Sequence, residues 1–152
     1  MKLALDILSA TLAATSVIVA SSALSANMDS FSLPPAMKLG SVSFISGGIG
    51  KDEAIAFQRD AKNFPLEMEF VMKDEPRDAF LANVRVTIRN SAGRTVLNTV
   101  SQGPFLLATL PPGKYDVTAD IDGTVKHEVV SVNAHKHERD VLVWPNTARL
   151  NG

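Results

Sequence analysis

Three histidines, His127, His135 and His137, are the side chains of this sequence best suited to chemistry. Imidazole is the commonest metal ligand and titrates close to neutrality. His135 and Glu138 spell H-x-x-E, a zinc-binding spacing. A catalytic zinc usually takes three protein ligands and keeps one position open. No histidine follows Glu138, so that pair reads as coincidence. A weaker arrangement remains. His135 and His137 are two residues apart and share a face of any extended segment, and His127 falls on the strand before them. Together they are a candidate exposed transition-metal site; the alternative is a solvated turn.

A second feature is the glycine loop Gly47, Gly48, Gly50 and Lys51. Backbone N–H groups at a helix start can hold an anion. The loop has neither G-x-x-x-x-G-K-[ST] nor G-x-G-x-x-G spacing. Asp52 and Glu53 follow it and would repel phosphate. Adjacent helical residues diverge by about 100°, so these carboxylates do not face each other as an acid/base pair would. They complement the positive end of the helix dipole instead. The loop therefore reads as a strand-to-helix turn and as an exposed interaction loop. The charged loop Lys73 to Asp78, with Asp74 and Arg77, is another. No serine lies in a G-x-S-x-G elbow. Trp144 is a binding platform or, on the preferred reading, a cover for the core edge. No cofactor is expected.

The chain around these residues has 152 residues, which suits one domain with extras. A net charge of −1 gives no strong field toward nucleic acid or an anionic membrane surface. The absence of cysteine excludes disulfides, thiolate catalysis and a lipid-modified cysteine. Ile7 to Ala20 is an apolar run of signal-peptide length, against the roughly 20 residues a bilayer span needs. Small residues follow it, and Ala23 and Ser25 suit a signal-peptidase site. Residues 1–25 are expected to be a signal peptide, with an uncleaved anchor as the alternative. No membrane span is expected after cleavage. An exported chain without disulfides fits a bacterial periplasm or exterior.

The positioning elements follow from periodicity. Residues 26–40 read as a flexible leader rich in Ser, Pro and Gly. The domain spans 41–145, and 146–152 is expected to fray. Val42 and Phe44 mark a first strand. Ala54, Phe57, Ala61 and Phe64 define one apolar helical face over about 51–64, ended by Pro65. One apolar stripe means that the helix lies against a sheet. Leu66 to Met72 alternates, with Glu67 and Glu69 on the polar side. Val84 to Arg89 alternates, with Arg85 and Arg89 on the polar side. Pairing these two strands would set the Glu face against the Arg face. N-S-A-G at Asn90 to Gly93 and Asp122-Gly123 are turns. The stretch GPFLLATLPPGKYDV, Gly103 to Val117, reads as strand, turn and strand, a central hairpin and one corner of the domain. Adjacent Val129 and Val130 suggest a bulge in the returning strand. The whole predicts a mainly β protein, an antiparallel β-sandwich of about seven strands with one helix packed on it.

The run VRVTIRNSAGRTVLNTVSQGPFLLATLPPGKYDVTADIDG resembles a carboxypeptidase regulatory-like domain, a transthyretin-like (prealbumin-type) sandwich. The resemblance lies in a V-x-V strand at Val84 to Ile88, Gly93, Gly103 and the segment Leu110 to Val117, and covers Val84 to Trp144. SGGIGKDEAIAF, Ser46 to Phe57, is similar to the front of uncharacterised exported bacterial proteins with the same sandwich. The resemblance implies fold and export and brings no activity. Carboxypeptidases that carry such a domain have a separate catalytic domain, for which this chain has no room. Transthyretin-like hydrolases end in Tyr-Arg-Gly-Ser, whereas this sequence ends TARLNG. The expected function is that of a non-catalytic envelope module that binds a protein, polymer or other ligand of the envelope, or acts structurally; the candidate surfaces are a sheet edge, which can accept a partner strand, and the two loops above. The alternative is a periplasmic metal-binding protein using the three histidines.

Overall fold

The structure, a computed structural model, describes residues 31–146. The expected signal peptide and the end of the tail lie outside the described residues. Among those described, no helix is long and apolar enough to cross a membrane.

Among the described residues ten strands form two sheets. In chain order they are β1 (Met37–Leu39), β2 (Val42–Gly47), β3 (Leu66–Met72), β4 (Ala79–Phe80), β5 (Val84–Asn90), β6 (Thr95–Ser101), β7 (Phe105–Thr109), β8 (Gly113–Ile121), β9 (Thr124–Val132) and β10 (Glu138–Trp144). The larger sheet runs β1-β2-β7-β3-β10, with β4 added on β3; the smaller runs β6-β5-β8-β9. Period-two patterning decides which faces meet. Leu66, Met68, Phe70 and Met72 of β3 and Leu106 and Ala108 of β7 point inward from the larger sheet. Val84, Val86 and Ile88 of β5 and Val117 and Ala119 of β8 meet them from the smaller sheet, all buried. The protein is thus a β-sandwich, with ten strands rather than seven; the two short ones, β1 and β4, carry too few residues to show a period.

Helix α1 (Lys51–Asp60) continues into a 3-10 turn at Ala61–Asn63 and covers the outer face of the larger sheet. Its apolar stripe works as expected. Phe57 and Ala61 are buried against Ile45, Phe105 and Leu107, with Ala54 and Phe64 at the margin. The Phe57 and Phe105 rings stack with centroids 5.9 Å apart.

Several expectations change. β3 does not pair with β5; it lies between β7 and β10. Its pairing with β10 is parallel, so the sandwich is not wholly antiparallel. Arg85 and Arg89 of β5 lie instead opposite Asp120 and Asp116 of β8. The expected central hairpin is a sheet-to-sheet corner: β7 belongs to the larger sheet and β8 to the smaller. Leu110 to Pro112 make the crossing, and the Tyr115 hydroxyl donates to the Pro111 carbonyl at 2.5 Å, which pins it. Burial pushes the Tyr115 hydroxyl pKa up. The Asn90 and Asp122-Gly123 turns do close hairpins, β5–β6 and β8–β9. β9 keeps an unbroken register through Val129 and Val130; the irregularity lies between Ile88 and Arg89, against β6. The second half of the leader is tied down. Leu33 packs at the helix–sheet cluster, the Phe31 carbonyl accepts from Arg59 at 3.3 Å, and Met37 to Leu39 form β1.

One close approach joins β2 to the segment before β7. A Cβ on Gly103 would overlap the backbone of Gly47. Backbone cannot yield as a flexible side chain does, so Gly103→Ala must push the two segments apart. Overpacking of this kind costs typically 1–3 kcal/mol. We expect Gly103→Ala to lower unfolding free energy by about 2 kcal/mol in urea titrations, with Gly93→Ala as a control; its Cβ would meet nothing within 4 Å, although its φ of 76° adds backbone strain.

Candidate functional site

The expected interaction loop is built by three constraints. β2 ends at Gly47. A Cβ on Gly48, at φ 96°, would overlap the Phe105 ring. Gly50 caps α1 without a side-chain bond, and its carbonyl accepts from the Ala54 N–H at 3.0 Å. The turn carries Ile49 outward, where it is 63% exposed. Beside it runs a groove of about 370 Å³ lined by Pro34, Pro35, Met37, Ile45 and Ile49, with Ser46, Gly47, Glu53 and Gln102 as its remaining wall. Lys51 starts the helix on the exposed side. The Glu53 carboxylate lies against Gly47, since it is what a Cβ there would strike. A carboxylate at the groove repels anions, so the site suits an apolar ligand rather than a phosphate.

The second loop is held by local polar contacts. Lys73 Nζ bonds Asp78 Oδ2 at 2.9 Å. The Lys73 hydrogen bond holds the Asp78 carboxyl below the usual carboxylate range. Asp74 Oδ1 accepts from the Glu75 N–H at 3.0 Å and from Asn146 Nδ2 at 3.3 Å. Arg77 remains exposed. The loop leads into Phe80, whose exposed ring tilts against Phe105 with centroids 5.8 Å apart.

The three histidines are not brought together. Among the described residues no group of three His, Cys, Asp or Glu side chains is placed to hold a metal ion. His127 lies on the outer face of the smaller sheet, with Nδ1 3.3 Å from Thr118 Oγ1. His135 sits in the exposed Asn133–Lys136 turn. His137 lies on the outer face of the larger sheet, and both its ring nitrogens are engaged. Nδ1 is 2.7 Å from the Phe64 carbonyl oxygen and Nε2 is 2.8 Å from Glu67 Oε2. A carbonyl only accepts, so Nδ1 is the donor there. The reason for the separation is β9: outward side chains of β9 and of the β10 approach belong to opposite sheets.

His137 belongs instead to a charge network that sequence reasoning missed. Glu67 and Glu69 are buried on the outer face of β3. Arg139 of β10 places Nε 3.4 Å from Glu67 Oε1 and donates from its terminal nitrogen to Glu69 Oε2. The signal was legible as matched spacing: Glu67-x-Glu69 on one strand and His137-x-Arg139 on the other. What concealed it was the parallel pairing of strands far apart in sequence. Trp144 is fully buried and its Nε1 donates to the Thr124 carbonyl at 2.9 Å, so it covers the core edge.

The inner edge of β10 carries an unresolved charge. Asp140 Oδ2 is buried without a hydrogen-bond partner among the described residues. Burial, then Glu128 and Glu138, push the Asp140 carboxyl up.

No family model matches the chain, and no curated protein matches it. Among solved structures it is similar to one titled "The Bacillus anthracis TIE protein", at 20% identity and a TM-score of 0.37. That match covers 53% of this chain and 16% of the other, so the chain spans a small part of that protein's length.

Two outcomes follow. Removing one partner of a buried charge network leaves the others unpaired, which costs roughly 3–5 kcal/mol when fully buried. Arg139 is half-exposed, which lowers this. Arg139→Met should cost about 2 kcal/mol in denaturant titration and Arg85→Met under about 0.5; equal costs would contradict the observed pairing. For Asp140, the folded state holds the proton to higher pH than the unfolded chain does. Between the two pKa values the native state binds more protons, so stability falls as pH rises through that window. Asp140→Asn should therefore raise the melting temperature at neutral pH, and the gain should vanish as pH falls below the ordinary carboxylate range.

Proposed function

We propose that this chain is a non-catalytic, exported β-sandwich module of the bacterial cell envelope. It binds a protein or polymer of the envelope through the groove beside Gly47 to Lys51. The observation that carries the reading is the groove itself: the exposed Ile49 lines it beside Pro34, Pro35 and the exposed Met37. Large apolar side chains grouped at one groove and left exposed cost solvation unless something covers them. The run from Val84 to Trp144 supports the transthyretin-like type of sandwich. The apolar N-terminal segment followed by small residues supports export, and the absence of cysteine fits a bacterial envelope.

A photo-crosslinking residue placed at Gln102, on the groove wall, tests the reading in cells. We expect discrete adducts, identified by mass spectrometry, whose yield falls at least about tenfold when Ile49 is also changed to Asp, a loss of about 1.4 kcal/mol in binding. Unchanged adducts in Ile49→Asp, with Trp144 fluorescence showing an intact fold, would overturn it.

A further inference from the structure

The geometry points to a second binding site, on the free edge of β6: a slot for one added β-strand supplied by an extended segment of another protein. Sheet edges expose unpaired N–H and C=O groups, and proteins normally blunt them with charges, prolines or short length. The other edges here are blunted. β1 and β4 are two or three residues long. β9 carries Lys126 and Glu128, and β10 carries Glu138, Arg139 and Asp140. β6 is different: TVLNTVS is seven residues without charge, proline or glycine.

Among the described residues β6 has one neighbouring strand, β5, and the direction of its free groups follows from it. The Ser101 carbonyl is taken by the Asn83 N–H at 2.8 Å, and the Leu97, Thr99 and Ser101 positions register with Ile88, Val86 and Val84 of β5. Strand backbone groups alternate sides. Asn98 and Val100 therefore turn their N–H and C=O away from β5. The bulge against Ile88 and Arg89 affects only the first residues of β6.

The slot has a roof. Met37 and Leu39 pair with Phe44 and Val42, so all four share the core-facing side of the larger sheet. Phe44 and Val42 are buried, whereas Met37 and Leu39 are 48% and 46% exposed. Strand β1 thus overhangs the point where the smaller sheet stops at β6. Between them opens a cleft of about 680 Å³ lined by Leu39 to Ser41, Asn90 and Arg94 to Asn98.

Chemistry selects the occupant. A strand added at β6 would place alternate side chains under Leu39 and must be apolar there. Arg94 is the one charged side chain in the cleft lining, so a carboxylate near that end is favoured. A second copy pairing β6 to β6 about a two-fold axis does not fit, because each overhanging β1 would be driven into the larger sheet of the other copy. The slot takes one strand.

The test uses the whole exported chain and a random nonapeptide library displayed on phage. Enriched peptides are expected to alternate apolar residues and to carry Asp or Glu toward one end. Asn98→Pro removes an outward N–H without touching a β5 bond, so it should keep the fold yet lower capture at least tenfold. Val100→Thr, a neutral change on the exposed outer face, should keep both fold and capture. Arg94→Glu should shift the enriched charge from acidic to basic. No enrichment over the Asn98→Pro background, or no charge shift with Arg94→Glu, overturns the proposal. Peptides that instead lose binding in Ile49→Asp and not in Asn98→Pro would assign the activity to the groove and likewise overturn it.

Discussion

Glu67 and Glu69 set the constraint that the rest of this structure must meet. They project from the outer face of β3, an interior strand of the larger sheet, and both are buried. A carboxylate removed from water must gain a cation and hydrogen bonds or give up its charge. The chain meets the demand with one distant strand. β10 enters beside β3 in parallel register and brings Arg139 to both carboxylates and His137 to one. The same register aligns Leu142 with Phe70 and Trp144 with Met72 on the core side. A one-residue slip would turn Arg139 into the core and Leu142 outward. Charge pairing outside and apolar packing inside thus select the same register.

Phe105 ties the outer face of this sheet to its loops. Its ring stacks on Phe57 of α1, meets Phe80 from β4 and lies against Gly48. Helix, glycine turn and second loop therefore rest on one side chain. The turn beside Ile49 thus packs on aromatic side chains, and its glycines matter sterically. Gly103, pressed on Gly47, closes the same region from the other side.

The elements were largely legible in the sequence, because each rests on local periodicity. Leu66 to Met72, Val84 to Asn90 and the stripe Ala54, Phe57, Ala61 and Phe64 identify themselves by spacing. The pairings were less so. A strand's pattern tells which side faces the core and is silent on which neighbour it takes. Antiparallel pairing of the two alternating strands sets Glu67 and Glu69 against Arg85 and Arg89, while the true partner lies seventy residues away along the chain from Glu69. The Pro111-Pro112 stretch marks a turn but not whether it stays in one sheet. Of the candidate sites, the glycine loop was legible from its breakers. A strand-accepting sheet edge is expected from the fold class, but its place at β6 was not legible, since a free edge is a property of the assembled sheet. The histidine grouping failed for the same reason: spacing along a strand cannot reveal that His127 and His137 end on opposite faces of a sandwich.

The central claim is that Arg139, not an arginine of β5, neutralises the carboxylates of β3 and so fixes the register of β10. A double-mutant cycle between Glu69→Gln and Arg139→Met tests it most directly, read by unfolding in urea. Contacting residues in one network couple by about 0.5–3 kcal/mol, and the account requires a favourable coupling above about 1 kcal/mol for this pair and near zero for Glu69 with Arg85. Coupling absent at Arg139, or present at Arg85, would contradict it.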